Sequence, residues 1–392
     1  MKSLGNLTKN IRILCVIETL GFGGGAEQLV FSLAPALREL NVDVEFIDLF
    51  SWHDDMGVDL ENMGFRVHRL NISHRWSLFE GLLKLHNIVT RNQFDVLWGH
   101  LYFGNLYVQL AKLLFSNIPS IITLHSYGYN NDPPKSVPAK IKTYVEGWLG
   151  SKANLRVGVS HAVAKDYAAY FGWNDVQVVY NGVPTLNIPT QLATADRTLL
   201  RTSHGVDEAD FLIVVPARLV RQKGHIYLLR ALEILKAKDI RLPKVIFIGV
   251  KGGDSFSIQL FIDDHQFESV VSIKEPLPHP DLLRLMLASD VVILPSLREP
   301  FGIAAAEAMT TGKPVILTKV DGFIELVGDS EGALMVQSES AEELADAIQR
   351  LMMNFKFAEE LGAKGRQRII DNFDIHHCAS AWCYQFLSVI NH

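Results

Sequence analysis

Cysteine is nearly missing from this chain of 392 residues, with only Cys15, Cys378 and Cys383 present. They make neither a disulfide framework nor a zinc-ligand spacing, so the chain suits a reducing compartment and must be held by packing. An excess of basic charge is missing too: the formal net charge is −6, with the acidic surplus confined to the second half. That argues against general nucleic-acid binding. No stretch approaches the ~18 uninterrupted apolar residues of a membrane span. Lys2, Lys9 and Arg12 precede an apolar run, but Glu18 and the glycines from Gly21 cut it too short for a signal peptide. Asp-x-Asp, His-x-x-x-His and spaced Cys/His sets are all lacking, so a Mg²⁺-dependent phosphate grip has no visible ligands and no metal or other cofactor is expected. Without repeats or low-complexity tracts, the expectation is a soluble cytoplasmic globular protein.

What is present is apolar sequence, 48% of the chain, and length enough for two cores. Short β-branched runs at Arg12–Ile17, Val42–Leu49, Phe94–Trp98, Ser120–Thr123, Leu155–Val159 and Val176–Val179 alternate with segments of helical period such as Leu29, Leu33, Leu37 and Leu40. This alternation predicts an α/β, doubly wound domain with a parallel sheet. Pro35 conflicts with the first helix and predicts a kink. The pattern breaks at Asn181-Gly182-Val183-Pro184 and resumes with strands at Phe211–Val215, Lys244–Ile248, Val270–Ile273, Val291–Leu294, Pro314–Leu317 and Ala333–Val336. The boundaries that follow are a first domain over 1–190, a linker over 191–208 and a second domain over 209–373. A closing amphipathic helix, Ile375–Ile390 within 374–392, is left over. Two such domains in tandem place their strand-to-helix loops around one cleft, where ligands bind.

The segment Pro295-Ser296-Leu297-Arg298-Glu299-Pro300-Phe301-Gly302-Ile303-Ala304-Ala305-Ala306-Glu307 follows a strand and opens a helix. Glu299 falls in the loop, and the first amides of the helix, from Phe301, Gly302 and Ile303, suit phosphate or sugar oxygens. Glu307 lies among alanines, where a carboxylate needs a partner such as a ribose diol. A solvated loop acid and a helix-surface acid are the plain alternative. The second constellation, Arg218 and Lys223 before Gly224, follows the first strand of the second domain, where two cations can neutralise a diphosphate. A solvated basic loop is its plain alternative.

Taken together the residues resemble the retaining nucleotide-sugar glycosyltransferases of family four, which have the GT-B fold of two tandem Rossmann-like domains with an inter-domain cleft and a C-terminal crossover helix. The resemblance is carried by Gly24-Gly25-Ala26-Glu27, Thr123-Leu124-His125, Asn181-Gly182-Val183, Arg218 with Lys223-Gly224, Glu299 with Glu307, and Gly312-Lys313-Pro314-Val315. It implies that Arg218 and Lys223 hold the donor diphosphate, Glu307 the ribose, and Glu299 with the amides of Phe301, Gly302 and Ile303 the donor sugar. Gly24 and Gly25 would let backbone approach the phosphates, His125 would reach the sugar, and the closing helix within 374–392 would cross back to join the first domain. His125, Arg218, Lys223 and Glu299 are the catalytic candidates. The acceptor, a glycan, a lipid-linked sugar or a small metabolite, would sit in the first domain around Gly23, His100, His125 and Tyr127. Family frequency makes a UDP-sugar the first expectation for the donor. Two departures, the longer turn Gly249-Val250-Lys251-Gly252-Gly253 and Glu275 in place of a glycine, fall near the expected nucleobase pocket.

Gly21-Phe22-Gly23-Gly24-Gly25-Ala26 also fits a dinucleotide fingerprint, with Asp48 as the acid of an NAD-dependent oxidoreductase, although Asp48 lies farther along than the usual ~20 residues. Two more readings fit the same cleft: a sugar-nucleotide epimerase, which needs no acceptor, and a non-catalytic sugar-nucleotide-binding protein. His100, His161 and His225 read as structural. Lys135, Lys140, Lys142, Lys152, Arg156 and Lys165 surround a helix bearing Ile141, Val145, Trp148 and Leu149. Such a helix either packs on its own sheet or docks on the inner, anionic face of a membrane.

Overall fold

The structure is a computed structural model that describes residues 10–21, 24–52, 55–75, 77–130, 133–185 and 193–391. The chain forms two compact units, one of Met1–Gly182 with Ile375–His392 and one of Val183–Asp374.

In the first unit seven strands, β1 (Ile11–Ile17), β2 (Val42–Asp48), β3 (Arg66–Arg69), β4 (Val96–His100), β5 (Ser120–Leu124), β6 (Leu155–Gly158) and β7 (Val176–Val178), form a parallel sheet in the order β3-β2-β1-β4-β5-β6-β7. The intervening helices are α1 (Gly25–Glu39), α2 (Asp55–Asn62), α3 (Leu78–Arg91), α4 (Leu101–Phe115), α5 (Val137–Gly150) and α6 (His161–Phe171). Strands covered on both faces read as continuous apolar runs, which is why β1 and β4 are legible in the sequence. β3 is not, because Arg-Val-His-Arg holds one apolar residue. Its register is set instead by charge: Glu45 on β2 takes Arg12 at 2.8 Å and His68 at 2.9 Å, with Arg66 at 3.7 Å. Burial pushes the Glu45 carboxyl up, but these hydrogen bonds and charges outweigh it and leave its pKa lowered. α1 continues for a further turn beyond Pro35, whose exposed position lets water take the carbonyl that lost its donor.

In the second unit α7 (Thr194–Ser203) precedes β8 (Leu212–Pro216), α8 (His225–Ala237), β9 (Lys244–Ile248), α9 (Ser255–Asp264), β10 (Val271–Lys274), α10 (His279–Ala288), β11 (Val291–Leu294), α11 (Ile303–Thr310), β12 (Val315–Thr318), α12 (Asp321–Val327), β13 (Leu334–Val336), α13 (Ala341–Met353) and α14 (Phe355–Phe373). The six strands are parallel in the order β10-β9-β8-β11-β12-β13, the doubly wound arrangement. The stretch that reads as a linker, 191–208, contains α7, and the unit division falls earlier, at Gly182/Val183. The physical reason is Arg201, fully buried and donating to the carbonyls of Ala288 and Asp207 and to the Asp290 carboxylate, which pins α7 to the second unit. A polar sequence hides such an anchor.

The last helix, α15 (Ile375–Ile390), belongs to the first unit. Trp382 and Phe386 pack against Trp98 of β4 at 4.6 and 5.2 Å, each ring wholly or nearly buried. Burying an aromatic side chain of that size contributes roughly 1.5–3 kcal/mol, so this helix is a fixed part of that core.

Candidate functional site

The order of the second sheet reverses at β8, with β9 and β10 on one side and β11 to β13 on the other. Because all strands run the same way, the loops leaving β8 and β11 emerge side by side, at the switch point where doubly wound folds bind ligands. The first loop carries Arg218 and Lys223, the second Glu299. Their separation of 76 positions in sequence reduces to 2.5 Å between Lys223 Nζ and Glu299 Oε2. Glu299 is 9% exposed, and Ser296 Oγ donates to the same oxygen at 3.4 Å.

Backbone geometry makes this approach possible. Lys223 ends a 3₁₀ turn, Arg221–Lys223, closed by Gly224 at φ +67°. A Cβ on Gly224 would lie 1.9 Å from the Pro295 carbonyl oxygen, so only glycine lets the β8 loop touch the β11 loop. The Leu297 N–H then donates to the Gln222 carbonyl at 2.8 Å. Glu299 is fixed from the other side, its carbonyl accepting from Gly322 N–H at 3.1 Å. Arg218 is exposed on the same loop, which is tied to the next by Leu219 N–H to the Val250 carbonyl at 3.0 Å.

α11 begins at Ile303, with Gly302 at its N-cap. Among the described residues the N–H groups of Gly302 and Ile303 have no hydrogen-bond acceptor, as expected of a helix start open to an anion. The Phe301 ring is 1% exposed and packs on Phe373 at 5.5 Å, so the ring belongs to the core of the second unit. Glu307, one turn into the helix, is 6% exposed, and one oxygen, Oε1, meets His279 Nε2 at 2.8 Å. Burial acts to lower the His279 pKa, but the hydrogen bond and charge of Glu307 prevail and raise it. Nothing local in the sequence singles out His279: it stands at the start of α10, and only the tertiary fold brings it to Glu307.

In the first unit Gly24 caps α1 and Gly25 begins it. A Cβ on Gly24 would lie 1.9 Å from Glu27 Oε2, so the carboxylate of Glu27 folds back over the amides at this helix start. Phe22 and Gly23 lie outside the described residues. His125 follows β5 and is half-buried, and Tyr127 stands two residues on. His125 Nε2 lies 2.8 Å from Nδ1 of His100, a fully buried residue ending β4. The apolar run alone would stop β4 at Trp98 and leave His100 in a loop; the pairing with β5 extends the strand to it. Burial, with the neighbouring His125, holds the His100 pKa well down, and burial lowers that of His125 to about 3. Both rings are therefore neutral near pH 7. His100 Nε2 is buried without a partner, and an orphaned lone pair costs less than an orphaned N–H. This favours the tautomer in which His100 Nδ1–H donates to His125 Nε2, with the remaining His125 proton on Nδ1.

His225 is fully buried with its ring on Phe247 at 4.8 Å, and burial followed by the charge of Lys223 lowers its pKa to about 4. It is structural. Asp48 is fully buried and accepts from Leu20 N–H at 3.1 Å and Ser51 N–H at 2.7 Å. These bonds commit it to the loops after β1 and β2, which removes the oxidoreductase reading of that acid. Gly249 and Gly252 press against the β8 loop, where a Cβ would lie 2.3 Å from Ala217 O and 2.8 Å from Leu219 O. The two departures from the family pattern meet as an exposed ion pair, Lys251 to Glu275 at 2.9 Å.

Residues 196–368 match the family described as Glycosyl transferases group 1, and residues 23–185 match Glycosyltransferase Family 4. Among curated relatives, a D-inositol 3-phosphate glycosyltransferase of Pseudarthrobacter chlorophenolicus is 25% identical over 84% of this chain and 82% of its own length. An alpha-maltose-1-phosphate synthase of Mycolicibacterium smegmatis is 27% identical over 72% of this chain and 76% of its own. Among solved structures, Anabaena HepE in complex with UDP-glucose superposes with a TM-score of 0.81 at 21% identity, covering 96% of this chain and 100% of that one. Sucrose-phosphate synthase from Thermosynechococcus elongatus gives 0.77 at 20% identity, covering 97% and 99%. The structural likenesses establish the fold, and the family matches with the named relatives do not favour an epimerase or a binding protein. The chain belongs to the family-four glycosyltransferases and has their GT-B fold.

Proposed function

We propose that this transferase moves a sugar from a UDP-sugar to a hydroxyl of a glycan, lipid-linked or small-molecule acceptor, with retention of the anomeric configuration. The observation that carries the reading is the Lys223–Glu299 contact at the switch point of the second unit. An ammonium has three donors, so the one spent on Glu299 leaves two for diphosphate oxygens. Arg218, exposed on the same loop, supplies the second cation. Glu307, with Oε1 taken by His279, offers Oε2 to a ribose hydroxyl. Glu299 and the amides of Phe301, Gly302 and Ile303 meet the donor sugar. In the first unit His125 Nδ1–H is the group for a sugar hydroxyl.

As the bond between sugar and diphosphate breaks, negative charge develops on the leaving oxygen, and Arg218, Lys223 and the α11 amides stabilise it before any solvent must reorganise. The departing phosphate oxygen takes the acceptor proton, and attack occurs on the face it leaves. HepE, solved with UDP-glucose, supports the uridine choice by analogy.

Incubation of the protein with UDP-, GDP-, ADP- and dTDP-glucose tests the reading by thermal shift and product analysis. Stabilisation by a UDP-sugar is expected, about 2.7 kcal/mol at 100 times its Kd. The anomeric proton of the transferred sugar should keep the donor's H1–H2 coupling constant. An inverted product, or stabilisation by every nucleotide sugar except UDP-sugars, refutes the assignment.

A further inference from the structure

α5 has two apolar faces, and the fold uses one. Val145 and Leu149 pack on the core of the first unit. Val137, Ile141, Tyr144 and Trp148 occupy one helical stripe on the other side and stand 69%, 59%, 75% and 50% exposed. The face expected from sequence therefore splits: Val145 and Leu149 turn inward, Ile141 and Trp148 outward. A solvent-facing stripe on a globular helix is ordinarily polar, and a contiguous apolar one marks an interaction surface.

Beside the stripe runs a groove of about 420 Å³, lined by Lys140, Tyr144, Gly147, Trp148, Tyr170 and Phe171. It depends on Gly147, where a Cβ would lie 2.5 Å from the Phe171 ring. The ring thus rests on bare helix backbone and forms an aromatic floor.

Charge selects the occupant. Between residues 133 and 152 the cations are Lys135, Lys140, Lys142 and Lys152, and the single acid is Glu146. Glu146 points inward and accepts from the hydroxyls of Tyr129 and Tyr167. Arg156, counted with the basic cluster in the sequence, is buried and paired with Asp175, so it is no part of this surface. In a chain of net charge −6, the surface around the stripe is locally cationic. Aliphatic groups for the acyl boundary, Tyr and Trp for the interface and lysines for phosphate headgroups are the combination an anionic bilayer satisfies. An acidic protein surface would satisfy the lysines alone. No helix among the described residues is long and apolar enough to cross a membrane, so the contact lies in the interface plane.

We propose that the outer face of α5 docks this protein on an anionic lipid bilayer, with a lipid acyl chain entering the groove between α5 and α6. The inference does not depend on the donor-site reading. Its test is co-sedimentation of the full chain, at low salt, with phosphatidylcholine vesicles with or without phosphatidylglycerol. Binding is expected only with phosphatidylglycerol and should fall at high salt. The double variant I141D/W148D and, separately, K135E/K140E should each bind roughly tenfold or more weakly at unchanged Tm, because these side chains lie on the outer surface. Brominated acyl chains should quench wild-type tryptophan fluorescence, and W148F should lose most of that quenching. Equal binding to both vesicle types, no binding to either, or wild-type binding by I141D/W148D overturns the proposal.

Discussion

Removing the ammonium of Lys223 separates what that residue does for the fold from what it does for the reaction. Its contact with Glu299 is 2.5 Å, and the two side chains are 20% and 11% exposed. At an effective dielectric near 20 the gross attraction is about 7 kcal/mol. Desolvation of two largely buried groups cancels most of that, and a hydrogen bond between charged partners nets about 1.5–3 kcal/mol. Lys223→Ala should therefore destabilise the second unit by about 2 kcal/mol, lowering its Tm by about 4–8 °C for a unit of that size. Loss of a cation from the leaving diphosphate adds a kinetic effect of about 2.7 kcal/mol or more, at least a hundredfold in turnover. Initial rates taken well below the variant's Tm isolate the second effect. Lys223→Arg should recover part of the activity, because the charge remains while the fork geometry differs. Turnover within about threefold of wild type in Lys223→Ala refutes the catalytic reasoning. An unchanged Tm refutes the structural part.

Arg218→Ala should also cost about a hundredfold or more in turnover, but with Tm unmoved, since the side chain is exposed; a calorimetric scan beside the rate measurement shows whether the two separate. Gly224→Ala places a side chain at φ +67° against the Pro295 carbonyl, so at least about 1–2 kcal/mol of stability should go, together with activity, as read by urea unfolding. For His279 the folded pKa is raised, so its contribution to stability is complete below the unfolded value of about 6.5 and fades as pH rises through the folded pKa. The stability advantage of wild type over His279→Ala should accordingly shrink above about pH 6.5, and an advantage that grows with pH would contradict the pairing with Glu307. His125 has the opposite sign: its pKa is depressed to about 3, so its contribution holds above about pH 6.5 and declines as pH falls, and His125→Asn should flatten the acid side of the stability profile. Because protein cations are assigned to the diphosphate, turnover in excess EDTA should stay within about twofold, and a larger loss restored by Mg²⁺ would move that charge to a metal.

Legibility depends on whether a signal lies within one stretch of chain. The buried strands β1, β8 and β11 announce themselves as apolar runs. The polar edge strand β3 does not, because its partner charge, Glu45, lies on another strand. Lys223 and Glu299 each stand out by their place after a strand, yet that they touch is not deducible from it. Their contact needs the switch point at β8 and the missing Cβ of Gly224. His279 escapes a linear reading, since no local context marks it, and His100 is legible as a candidate but not as the partner of His125; the two gain their meaning from residues 28 and 25 positions away. Asp48 misleads for the same reason: its place at the end of the second strand suggests a ribose ligand, although its spacing does not, and the fold spends both oxygens on backbone amides.

The class of this protein is written in one dimension, because alternating apolar periods dictate parallel sheets and the order of the motif residues is itself a linear property. The partnerships are not: which acid meets which cation, which histidine shares a proton, and which half of α5 is hidden. Those are distances across strands and helices, set by register and packing, and no linear spacing encodes them.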